Sequence, residues 1–204
     1  MNGIVRLSEL DDKQLSQAVD VFVEGFYYPT LKRISKDKEI LRRLFINAFD
    51  SDMAYAYLNE GDAVGFMGLA DRHKRPIKMN VETFKEVFGN FSGNAVYKQL
   101  LTTMENIKVH SPDEICIDYI ATHPEYRSLG IGKKMIEYVR DNLGYKYIWL
   151  EVLSSNPKGI AFYEREGFIQ GAIKTNFLLN LLTMISGYGK LITMRMEPHK
   201  LQES

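Results

Sequence analysis

The sequence predicts a mixed α/β chain of the α+β kind, helices packed on a largely β framework, and three observations predict it. Apolar residues near the N-terminus, Leu15, Val19, Phe22, Val23 and Phe26, recur at helical spacing. The period then changes: two β-type runs, 53–58 and 63–69, flank the turn Asn59-Glu60-Gly61-Asp62, the pattern of a hairpin. Further on, a β-rich run over 114–121, a glycine-bearing loop, helical spacing over 133–143 and a second β-rich run over 147–153 make a strand–helix–strand unit, whose strands should run parallel.

Taken in order, the first helix should end around Gly25 and Pro29. A second follows the charged residues 36–39, with Ile40, Leu41, Leu44, Phe45 and Ala48 on its apolar face. After the hairpin, residues 71–112 open on a basic patch, Arg72-His73-Lys74-Arg75. They continue as helix-like pieces broken by Gly89, Gly93 and Pro112. This reads as a helical insertion within a single domain spanning 1–204, with the basic patch a solvated loop. Beyond the strand–helix–strand unit come a helix over 157–166, a strand over 168–174 and a last strand over 191–196. The apolar run 177–182 between them reads as core packing or a dimer contact.

Composition narrows the function. Of 204 residues, 45% are hydrophobic and 25% charged, enough to bury a sound core. Twenty-six basic against 26 acidic residues leave no net field to draw nucleic acid or an acidic membrane, so neither is an expected partner. A lone cysteine, Cys116, permits no internal disulfide. With a polar N-terminus unlike a secretory signal and no apolar run of about 20 residues, a cytoplasmic protein is expected. His73, His110, His123 and His199 stand apart without ligand spacing, so no metal site is expected.

The chemistry concentrates in IDYIATHPEYRSLGIGKKM, residues 117–135. A strand runs into Pro124, then a short loop, then a helix opened by Gly130 and Gly132. Glycine lets a ligand approach the backbone, and the first amides of a helix have no internal partner, so the segment is an anion site. Arg127, Lys133 and Lys134 add positive charge. A dinucleotide fingerprint would need a small residue where Met135 stands, and a P-loop would need four residues between its glycines followed by Lys and Ser or Thr. Neither fits.

The remaining pattern, Arg127-x-x-Gly130-x-Gly132 after a strand, resembles the signature of the GCN5-related N-acetyltransferase (GNAT) family. A second resemblance lies in Asn156 and in 161–168, AFYEREGF. The similarity covers most of the chain, leaving 71–112 and about 175–188 as departures. It implies a central, mostly antiparallel twisted sheet with helices on both faces, splayed in a V between the signature strand and the next. It also implies acetyl-CoA as co-substrate, with an amine of a small molecule or peptide as acceptor. Carried over by position, the amides of Ser128, Leu129, Gly130, Ile131, Gly132 and Lys133 would cradle the pyrophosphate with Arg127 nearby, and the backbone of Ile120, Ala121 and Thr122 would pair with the pantetheine arm. The same pairing could leave an amide to polarise the thioester carbonyl. Asn156 would hydrogen-bond the cofactor, cap the following helix, or both.

Tyr163 is the expected proton donor to the leaving thiolate, a phenol being protonated at neutral pH; its alternative is a core tyrosine. Glu114 and Asp118 are candidate general bases, sharing a strand face with Cys116 and Ile120. A carboxylate there is either functional or paired with a cation, and deprotonation through water is equally open. Cys116 reads as an inert strand thiol. The basic patch could also touch the 3′-phosphate of CoA or an acidic acceptor, and Phe26, Tyr27 and Tyr28 either line the acceptor cleft or belong to the core. A catalytically idle CoA-binding module and a nucleotide-binding protein are the competing functions.

Overall fold

The computed structural model describes residues 2–28, 30–104, 109–171 and 189–196. In chain order these form β1 (Gly3–Arg6), α1 (Asp12–Phe26), α2 (Lys38–Phe45), β2 (Ala54–Asn59), β3 (Asp62–Ala70), α3 (Val81–Phe88), α4 (Asn90–Met104), β4 (Glu114–Thr122), α5 (Ile131–Asn142), β5 (Tyr147–Leu153), α6 (Pro157–Arg165), β6 (Phe168–Gln170) and β7 (Leu191–Met196). One sheet holds all seven strands in the order β1-β2-β3-β4-β5-β7-β6, and only the β4/β5 pair is parallel.

Local chemistry sets the boundaries. Asp11 and Gln14 form a reciprocal capping box on α1, satisfying two of the amides that a helix start leaves open. Glu60 and Gly61 both adopt positive φ, the backbone twist that a tight hairpin between β2 and β3 requires. The first helix runs to Phe26, and α2 stops at Phe45, short of Ala48. The region 71–112 holds α3 and α4, separated at Gly89, but the break expected at Gly93 does not occur: α4 runs through it, and the glycine is there because a Cβ would collide with the Phe84 carbonyl of α3. β1 has no counterpart in the sequence reading: it is a four-residue edge strand held by pairing with β2. Of the strand expected over 168–174, Phe168–Gln170 is formed; residues 172–174, the apolar run 177–182 with its suggested dimer contact, and His199 lie outside the described residues.

Two apolar layers cover the two sheet faces. On one, α1 and α2 bury Val19, Phe22, Leu41 and Phe45 with Phe66 of β3 and Phe84 of α3. At its centre Phe22 meets the rings of Phe26, Phe45, Phe49, Phe66 and Tyr119 at centroid distances of 5.0–5.4 Å. On the other face α5 buries Ile131, Met135, Ile136 and Val139 against Ile115, Ile117, Leu150 and Phe168. Close approach of α1 to β4 depends on Gly25, where a Cβ would stand 2.6 Å from the Cβ of Ala121.

Two bulges shape the middle of the sheet. One interrupts β2/β3 at Val64, the other β3/β4 at Asp118. An extra residue reverses the alternation of faces beyond it. Ile115 and Ile117 face the α5 layer, and after the bulge so does Ile120, while Tyr119 and Ala121 turn to the α1 layer. The strand reading that put Ile120 on one face with Glu114, Cys116 and Asp118 therefore fails at Ile120, because strict alternation ignores the bulge.

Candidate active site

β4 and β5 pair only from Glu114↔Tyr147 to Ile117↔Leu150. Beyond this point β4 stays with β3 as far as Thr122, and β5 stays with β7 as far as Leu153. Asp118–Thr122 and Glu151–Leu153 thus diverge without pairing to one another, a V-shaped opening that begins at the bulge. Among the described residues no strand covers this edge of β4, so its main-chain groups can accept an extended partner. β4 ends where the amide of His123 donates to the carbonyl of the bulged Val64, at 2.9 Å.

The chain then enters the loop before α5. Pro124–Tyr126 form one 3-10 turn, and Ser128 and Gly130 follow with φ of 68° and 76°. Left-handed geometry suits glycine and costs a residue such as Ser128 about 1 kcal/mol or more. It turns the chain so that α5 begins at Ile131, and the first intrahelical bond is Lys134 N–H to Gly130 C=O at 3.0 Å. The amides of Ile131, Gly132 and Lys133 precede it and have no helical acceptor. They sit at the positive end of the helix dipole on an exposed loop, Arg127–Gly130. Arg127 folds back, its Nε donating to the carbonyl of Thr122 at 3.4 Å, which ties the loop to the free edge of β4. Lys133 lies 3.8 Å from Glu137, and Lys134 donates to the Tyr57 hydroxyl at 3.0 Å.

α6 closes the other side. A Cβ on Gly132 would come within 3.1 Å of the Phe162 ring, so Gly132 lets α5 and α6 approach beside the opening. Tyr163 follows Phe162, its ring 5.2 Å from that of Phe162 and 5.9 Å from that of Phe168. Loss of water around the phenol pushes its pKa up to about 12. Asn156 caps α6, its Oδ1 accepting the Gly159 N–H at 3.0 Å, and it is exposed at the same rim. Tyr163 and Ile120 both pack against the α5 layer.

The opposite face carries a different chemistry. Asp118 is paired with Arg75, Nη2 to Oδ2 at 2.6 Å, with both side chains only 7% exposed. Cys116 is buried, with its Sγ 3.7 Å from Asp118 Oδ1. The basic patch therefore divides: Arg72 and His73 are exposed as a solvated loop should be, whereas Arg75 is buried, because a carboxylate waits for it on β4. Tyr119 lies beside this pair; burial, reinforced by the Asp118 charge, raises its pKa. Glu114 is not brought to the opening. It stands at the closed end of the β4/β5 pair, about 13 Å along the strand from Asp118 at some 3.3 Å per residue. Glu151, not singled out from the sequence, is the first β5 residue past the pairing and lies across the opening from Asp118. Phe26 stacks edge-on against Tyr119 at 5.3 Å and Tyr27 is buried, while Tyr28 is exposed. Among the described residues no group of three His, Cys, Asp or Glu side chains could hold a metal ion, and no helix is long and apolar enough to cross a membrane.

The model of the acetyltransferase (GNAT) family matches residues 19–168, from within α1 to the start of β6. The chain belongs to the GNAT family. Among relatives of this GNAT protein is the [ribosomal protein bS18]-alanine N-acetyltransferase of Escherichia coli K12, 38% identical over 68 residues, 32% of this chain and 46% of the relative. The match thus spans about half of that relative's length. The crystal structure of the ribosomal-protein-S18-alanine N-acetyltransferase from Escherichia coli aligns with a TM-score of 0.55 at 20% identity, covering 100% of this chain and 98% of that one. The PaiA N-acetyltransferase of Thermoplasma acidophilum, solved in complex with coenzyme A, aligns at 0.53 and 14% identity, over 97% and 99% of the two chains. These likenesses establish the GNAT fold with its splayed sheet.

Proposed function

We propose that the chain is an acetyl-CoA-dependent N-acetyltransferase acting on a primary amine by direct attack in a ternary complex. The observation that carries this reading is the parting of β4 from β5 directly beside a helix N-terminus with free amides. In it the amides of Ser128 to Lys133 and Arg127 hold the pyrophosphate, and the free edge of Ile120, Ala121 and Thr122 pairs with the pantetheine arm. Asn156, already a helix cap, adds a contact at the rim through its remaining amide group. CoA complexes of fold neighbours lend support.

The amine lone pair attacks the acetyl carbonyl carbon, a C–N bond forms, and a main-chain amide of β4 stabilises the oxygen as it gains charge. The C–S bond breaks, sulfur leaves with the electron pair, and Tyr163 gives it a proton, later recovered from water. With its pKa pushed up to about 12, Tyr163 is protonated at any physiological pH and so available as the acid. The proton lost by the amine needs a base. Asp118 lies in its buried pair with Arg75 and Glu114 is remote from the opening, whereas Glu151 lies across the opening at the point where β5 leaves β4, so by position Glu151 takes the proton, directly or through water.

Thiol release from acetyl-CoA, measured across a panel of small amines and alanine-starting peptides, tests the reading; the peptides are included because of the relative that acts on a ribosomal-protein alanine. A positive acceptor is expected, with kcat in Tyr163→Phe lower by about 10²–10⁴-fold. CoA binding without turnover of any acceptor would favour an idle CoA-binding module, and full activity in Tyr163→Phe would remove the acid role.

A further inference from the structure

Arg75 belongs to the 71–112 segment, which carries none of the family motifs, yet its side chain ends beneath the opening of the sheet. Its partner Asp118 is the extra residue of the β4 bulge and directly follows Ile117, the last β4 residue paired with β5. Tyr119 follows Asp118 in β4, and its ring stands edge-on against Phe22 and Phe26. Arg75 is itself firmly held. The Asp71 amide donates to the Lys74 carbonyl at 3.0 Å, the Asp50 amide donates to the Pro76 carbonyl at 2.9 Å, and Pro76 packs so closely on Gly68 of β3 that a Cβ there would lie 2.9 Å from it.

A bulge leaves its extra residue out of the ladder, and if that residue is drawn back in, every later residue of the strand moves one place against its neighbour and turns its side chain to the other face. Here that would exchange Ile120 with Tyr119 and Ala121. It would also carry Asp118 away from Arg75 and leave two buried charges apart, which a low-dielectric interior penalises heavily. We propose that Arg75 is a positioning residue for acyl transfer: its ion pair with Asp118 fixes the bulge where β4 leaves β5, and so registers the Ile120–Thr122 edge against the pantetheine arm. This rests on the reading that the chain uses acetyl-CoA.

The test compares binding of CoA, which has the pantetheine arm, with binding of adenosine 3′,5′-bisphosphate, which lacks it. It uses the full chain and its Arg75→Met, Arg75→Lys and Asp118→Asn variants, each checked for a cooperative thermal transition. In Arg75→Met the Kd for CoA should rise about tenfold or more while that for the bisphosphate stays within about twofold, and Arg75→Lys should recover most of the CoA affinity. Should Arg75→Met not fold, Asp118→Asn, close to isosteric, is expected to show the same selective loss. Equal weakening for both ligands, no weakening for either, or failure of every variant to fold would assign the pair to stability alone and overturn the inference. A wild-type chain that binds neither ligand would instead remove the acetyl-CoA reading, and this inference with it.

Discussion

Gly25→Ala perturbs the contact that seats α1 on the free part of β4. The new Cβ would stand 2.6 Å from the Cβ of Ala121, against about 3.5–4.0 Å for carbon atoms in contact, so α1 must retreat by about 1 Å. Overpacking of this kind costs about 1–3 kcal/mol. Against it stands the gain of replacing a helical glycine by alanine, at most about 1 kcal/mol and smaller this near the helix end. The steric cost wins, for a net loss of about 1 kcal/mol, or about 2–4 °C in Tm for a chain of this size. In an Ala121→Gly background the opposing methyl is gone and the sign should reverse, with Gly25→Ala neutral or stabilising. Urea unfolding of the four proteins closes the double-mutant cycle, with an expected coupling of about 1–3 kcal/mol. An equal effect of Gly25→Ala in both backgrounds would refute the contact, and with it the placement of α1 against the open edge.

Other outcomes follow from single interactions. Asn156→Ala removes the side chain that accepts the Gly159 N–H and should cost about 1 kcal/mol, seen as a lower Tm; an unchanged Tm would deny the cap a role in stability. Tyr163, with its pKa pushed from 10.0 to about 12, is protonated in folded and unfolded chains alike below pH 10 and contributes no pH dependence there. Between about 10 and 12 the unfolded phenol ionises first, so stability should fall as pH rises through this window, and less so in Tyr163→Phe. For the same reason the alkaline loss of kcat owed to Tyr163 should lie above pH 10, and a limb near pH 8 would point to another group.

Much of this was legible in the sequence because the signals are local. The apolar stripe of α1, the Glu60-Gly61 turn, and the run from Arg127 to Gly132 each declare themselves within a few residues, and the strand–helix–strand unit follows from period alone. What was not legible depends on residues distant in the chain. A β-bulge such as that at Asp118 carries no composition signal, so alternation misassigned Ile120. Arg75 looked like its solvated neighbours Arg72 and His73, since its buried partner lies on another strand. Asp118 beside a tyrosine in a β-rich run was the available hint, and it named the carboxylate without naming its cation. Glu151 was passed over because it acquires meaning only where β5 loses its pairing with β4. β1 was missed since four residues give too short a pattern to show a period.

Calorimetric titration of the purified chain with CoA and acetyl-CoA, repeated on Gly130→Glu, tests the central claim most directly. Gly130 has a φ of 76° and opens α5, so a glutamate there strains the backbone and sets a negative charge among the loop's free amides. Saturable binding of both ligands to the wild type, abolished in a Gly130→Glu variant that still unfolds cooperatively, is the predicted result. Absence of binding to the wild type, or undiminished binding to the variant, would contradict the claim that this loop and the parted strands form an acyl-CoA site.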